Sequence, residues 1–67
     1  MPYINIRLVD DALSESKKAE LIREVTKVMV DVLGKDPNTT WVVIDEINTD
    51  NFGIGGLSVT QRRKLGK

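Results

Sequence analysis

Leu21-Ile22-Arg23-Glu24-Val25-Thr26-Lys27-Val28-Met29-Val30-Asp31-Val32-Leu33-Gly34 is the stretch that settles the architecture of this 67-residue chain. Leu21, Ile22, Val25, Val28, Met29, Val32 and Leu33 follow the i, i+3, i+4, i+7 spacing of one helix face. Arg23, Glu24, Lys27 and Asp31 fall mostly on the other side. Upstream, Ser14 is a suitable N-cap and Glu15 suits the first turn, where a negative charge meets the helix dipole. Downstream, Gly34 stands where a left-handed residue ends a helix, and Pro37 follows shortly after. The spacing therefore predicts a helix over 15–33.

Working outward, the period changes on both sides. From Tyr3 to Leu8 the residues alternate, with Ile4, Ile6 and Leu8 on one side and Tyr3, Asn5 and Arg7 on the other. Such alternation predicts a strand. Val9 to Leu13 then forms a loop. A second strand starts at Trp41-Val42-Val43-Ile44 and ends near Glu46 or Ile47. Its first half is apolar on both parities, which predicts burial of both faces. Asn48-Thr49-Asp50-Asn51 has turn composition. Phe52 to Val59 reads as a short glycine-bearing hairpin, and Gln61-Arg62-Arg63-Lys64 leads into a polar tail. Strand, helix and strand make one β-α-β unit, with parallel strands and a right-handed crossover. The expected fold is thus α/β (α+β), a single domain over residues 1–67 with a short C-terminal hairpin.

Two strands and one helix leave one face of the sheet and both its edges uncovered. Size points the same way, since a domain of about 60 residues buries only ~60% of its unfolded surface. Small scaffolds make up that deficit with disulfides, metals or oligomerisation. The chain has no cysteine and no histidine. Disulfides are excluded, and a zinc site would need carboxylates alone, which zinc rarely uses. Oligomerisation remains. Ten basic residues balance ten acidic ones, so there is no global electrostatic case for nucleic acid or an anionic membrane. No apolar run approaches the roughly 20 residues of a membrane span, and no signal-peptide pattern opens the chain. A soluble, cytoplasmic protein without cofactor or metal is expected.

With histidine and cysteine absent, the candidate for chemistry is the opening Met1-Pro2. Proline is a small second residue after which methionine aminopeptidases remove the initiator. Removal of Met1 leaves a secondary amine at the start of a strand. An ordinary α-amino group titrates near ~7.7–8.0, within reach of a general base at neutral pH. Alternatively, Pro2 simply begins a strand, where its missing N–H costs little. Phe52-Gly53-Ile54-Gly55-Gly56 lacks the spacing of a phosphate-binding loop and no clear helix follows it. Its glycines suit a tight hairpin, and Phe52 either lines a pocket or belongs to the core. Asp45 and Glu46 are neighbours on a strand and point to opposite faces, so they do not form a ready acid/base pair. Arg62, Arg63, Lys64 and Lys67 read as a solvated end, although arginine is the natural partner of a carboxylate substrate.

Met1-Pro2, Leu21-Ile22-Arg23-Glu24-Val25, Val43-Ile44-Asp45-Glu46 and Asn51-Phe52-Gly53-Ile54-Gly55-Gly56 together resemble the 4-oxalocrotonate tautomerase family. The resemblance covers almost the whole chain. It implies that processed Pro2 is the catalytic base, moving a proton from the hydroxyl of an enol or dienol of a 2-keto acid to carbon. It also implies that Phe52 is the pocket aromatic and that the chains assemble as homohexamers, trimers of dimers. The family's best-known members carry an arginine in the loop after the first strand and another at the start of the second. Here those places hold Asp10-Asp11-Ala12-Leu13 and Trp41. Trp41 either stacks on a conjugated substrate and donates its indole N–H, or serves in a core or interface. The pattern is similar to that of the DmpI-type branch. Two alternatives share the fold: a hydratase or dehalogenase using Glu46 or Asp45 to activate water, and a non-catalytic oligomeric binding protein.

Overall fold

A computed structural model describes residues Met1–Lys67. β1 (Tyr3–Val9) and β2 (Trp41–Ile47) form a parallel pair in which Tyr3 lies opposite Trp41, Asn5 opposite Val43, Arg7 opposite Asp45 and Val9 opposite Ile47. The ladder runs one bond further at each end. The Trp41 N–H donates to the Pro2 carbonyl at 2.9 Å, and the Asp10 N–H to the Ile47 carbonyl at 2.8 Å.

Between the strands runs α1 (Glu15–Leu33), with the bounds that the capping residues predict. The Ser14 hydroxyl accepts the Lys17 N–H at 3.2 Å. Gly34 takes φ 65°, and the N–H groups of Gly34 and Lys35 satisfy the Val30 and Met29 carbonyls. This is a left-handed close that glycine adopts without a Cβ clash. On its exposed side Lys27 donates to Asp31 at 2.8 Å, and that bond and the carboxylate's charge raise the Lys27 pKa above the ordinary lysine value. A single 3-10 turn, Pro37–Thr39, leads on into β2.

α1 covers one face of the sheet. Ile4, Ile6 and Leu8 are half-buried beneath it, while Tyr3, Asn5 and Arg7 are exposed. The helix is tied to that face by an ion pair between Lys18 and Glu46, both mostly shielded from solvent. The other face is open. The expectation that the first half of β2 is buried on both faces is not met within one chain. Trp41 is 53% exposed there, and no second layer covers the strand on that side. Across the middle of the open face, Asn5 donates to Asp45 at 2.9 Å and Arg7 Nε lies 3.6 Å from the same carboxylate oxygen.

Past a second 3-10 turn (Thr49–Asn51), β3 (Gly53–Ile54) and β4 (Leu57–Ser58) pair antiparallel. Gly55 and Gly56 connect them with φ of 62° and 86°, two successive positive values that a tight two-residue hairpin turn requires. The residues expected as a polar tail instead form α2 (Val59–Lys64). Ser58 and Gln61 make a reciprocal capping box at its start. Thr60 binds Asp50, and Arg63 binds Asp11 at 2.9 Å, so α2 is held against the end of the sheet.

Val59, 8% exposed, is the one buried residue. Tyr3, Ile22, Val28, Val32, Leu33, Trp41 and Leu65 all present large apolar area to solvent. The chain is elongated, 45 × 23 × 15 Å. No helix is long and apolar enough to cross a membrane.

Candidate active site

The β1–β2 ladder places Pro2 and Trp41 together. Pro2 is half-buried, and its link to the sheet runs through its carbonyl, which accepts the Trp41 N–H. Its nitrogen takes no part in that bond. In the full-length chain this nitrogen is the amide joining it to Met1, which is 80% exposed and makes no backbone hydrogen bond outside the sheet ladder. Tyr3, whose chemistry the sequence alone did not single out, stands beside Trp41 on the open face. Neighbouring strands lie about 4.8 Å apart, so the two aromatic side chains leave the sheet side by side. Only the strand pairing reveals this, because 38 positions separate them in the chain.

Phe52 is elsewhere. The seven residues of β1, at about 3.3 Å each, separate the two ends of the sheet by roughly 20 Å. Phe52 lies beyond the far end, after β2 has finished and the 3-10 turn has been made. Its carbonyl accepts the Val59 N–H at 2.8 Å, binding it to the hairpin and α2. One chain therefore does not bring Phe52 to Pro2 and Trp41. Nor does it form a pocket.

The acids divide as strand geometry requires. Asp45 lies on the open face with Asn5 and Arg7, and Glu46 lies under α1 with Lys18. Neither carboxylate is free. No group of three or more acidic, histidine or cysteine side chains is placed to hold a metal ion. Among the arginines, Arg7 and Arg63 are paired with Asp45 and Asp11. Arg62 is half-buried and has no acidic partner, and its Nη1 lies 3.7 Å from where a Cβ on Gly55 would stand.

A parallel β-α-β unit that opens on Pro2 and ends in the Phe52 glycine hairpin defines the class, and residues 2–62 match the Tautomerase family of tautomerase enzymes. The chain belongs to that family, in its DmpI and 4-oxalocrotonate tautomerase branch, and its activity is that of an isomerase of the keto–enol tautomerase type. It is 55% identical over 64 residues to the probable tautomerase K2 of Dickeya dadantii (strain 3937), covering 96% of both chains. The crystal structure of DmpI from Helicobacter pylori is 40% identical, with a TM-score of 0.82 over 90% of this chain and 98% of that one. TomN, a 4-oxalocrotonate tautomerase homologue of the tomaymycin biosynthetic pathway, is 26% identical, with a TM-score of 0.90 over 98% and 100% of the two chains.

Proposed function

We propose that the protein ketonises an enol or dienol of a 2-keto acid, with the Pro2 amine as general base once Met1 has been removed. The observation that carries this reading is the bond from the Trp41 N–H to the Pro2 carbonyl. It anchors Pro2 through its carbonyl alone, so loss of the exposed Met1 frees a secondary amine at the end of an intact sheet. The amine takes the proton of the substrate's enol hydroxyl, the C–O bond becomes a carbonyl, and the conjugated system shifts. The resulting ammonium returns a proton to the distal carbon. An apolar surround disfavours the cation and lowers the amine's pKa, toward the neutral values at which a base is most effective.

The assembly follows from the same geometry. Pro2 and Trp41 sit at one end of the sheet and Phe52 at the other. A pocket holding all three requires a second copy, and homo-oligomeric assembly is consistent with the superfamily. We take the assembly to be a hexamer, a trimer of dimers. In it Trp41 stacks on the conjugated substrate and donates its indole N–H, while Phe52 of another copy closes the pocket. A water-adding reaction is less well supported, because Glu46 and Asp45 are both occupied by other side chains.

The test compares chains whose N-termini are established by mass spectrometry. Processed protein should ketonise phenylenolpyruvate, and the processed Pro2→Ala variant should be about 100- to 10,000-fold slower, the range supplied by a positioned base. Protein retaining Met1 should be inactive. Equal rates for processed protein and Pro2→Ala, or full activity with Met1 attached, would exclude Pro2 as the base.

A further inference from the structure

We propose that Arg62 binds the substrate carboxylate, at a site whose Pro2 belongs to another copy of the chain, and that the substrate is a monocarboxylate enol. This rests on the reading of Pro2 as the base and names the substrate class for that site. Of the ten basic residues, Lys18 and Arg62 alone are half-buried, and the other eight are exposed. Lys18 is neutralised by Glu46, while Arg62 has no carboxylate within ion-pair distance.

A half-buried guanidinium without an anion has lost hydration and gained no charge partner in return. Its position adds the second point. Arg62 lies over the Gly55 turn, in the same hairpin–helix unit that carries Phe52. The neighbouring Arg63 pulls the other way, to Asp11, so the two arginines are divided between a structural contact and a free one. A planar fork of donors matches a carboxylate with two parallel bonds. One such arginine serves one carboxylate. Arg62 also shares with Phe52 the roughly 20 Å separation from its own Pro2, so it serves the Pro2 of a neighbour.

The experiment uses the processed, assembled protein, with assembly of each variant confirmed by light scattering. Substrates are phenylenolpyruvate, its methyl ester and 2-hydroxymuconate. Arg62→Gln should raise KM for phenylenolpyruvate about 10- to 100-fold, as loss of a charge-assisted pair implies, and leave the ester nearly unchanged. Arg62→Lys should restore part of the loss. Wild-type protein should gain nothing from the second carboxylate of 2-hydroxymuconate. Co-assembled Pro2→Ala and Arg62→Gln chains should recover activity well above either parent, because some sites then combine an intact Pro2 with an intact Arg62. Unchanged kinetics in Arg62→Gln, an equal loss on the ester, a clear preference for the dicarboxylate, or no recovery on mixing would each overturn the proposal. Full activity of Pro2→Ala would instead sink the base assignment, a separate result.

Discussion

Ala12 shows how a single backbone torsion is stabilised by its surroundings. It takes φ 55°, the only positive value outside glycine, in the loop after β1. The left-handed conformation costs an L-residue about 1–2 kcal/mol. The loop retains it through the Asp10 carboxylate, which accepts the Ala12 N–H at 2.9 Å, and through the Asp11 bond to Arg63. Ala12→Gly should relieve that strain but cost about 0.5–1 kcal/mol in chain entropy, for a net gain between zero and about 1.5 kcal/mol. A urea melt checks this, and a lower midpoint would contradict it. The sequence showed a loop here but not its torsion. Strand parity did show that Asp45 and Glu46 diverge, and Asp45 indeed meets Asn5 and Arg7 while Glu46 meets Lys18.

The elements differ in how far local sequence specifies them. α1 carries its own start at Ser14, its own end at Gly34 and an apolar stripe between, so its bounds were legible. α2 was not, because Gln61-Arg62-Arg63-Lys64 has no apolar period and six residues are too few to hold a helix alone. It forms because Ser58 and Gln61 cap it and because Thr60 and Arg63 reach Asp50 and Asp11. Ser58→Ala should therefore cost about 1 kcal/mol of stability. It should also weaken binding of a carboxylate substrate, since α2 presents Arg62. Hydrogen exchange at the Gln61 amide reports the first effect and KM for phenylenolpyruvate the second. An unchanged exchange rate would show that the cap does not hold α2.

As a whole, one chain is too open to be the functional unit. Its radius of gyration is 15.4 Å, whereas a compact chain of this length has about 11 Å. Its accessible surface is 5024 Å², against about 4,200 Å² for a compact monomer of its mass. Covering the open face with further copies removes both excesses. The unfolding temperature should then rise with protein concentration, as mass action requires. Val43→Glu, which puts a charge in the middle of the open face beside Asn5, should abolish assembly and activity together. A monomer of undiminished activity, seen by light scattering and the phenylenolpyruvate assay, would contradict the shared site.

The sequence by itself determined the β-α-β order, the bounds of α1 and the approximate place of both strands (β1 runs one residue further than expected, to Val9), the hairpin, the candidacy of Pro2 and the shortage of core. Each is written in local periodicity, caps or composition, which depend on residues close together in the chain. Tertiary structure decided that Tyr3 stands beside Trp41, that Arg63 is occupied by Asp11 while Arg62 is left free, and that Phe52 lies at the far end from Pro2. Those facts depend on the register of two strands about forty positions apart and on the direction taken by the chain after β2. No local pattern encodes them, because they arise only when distant segments compete for the same face of one sheet.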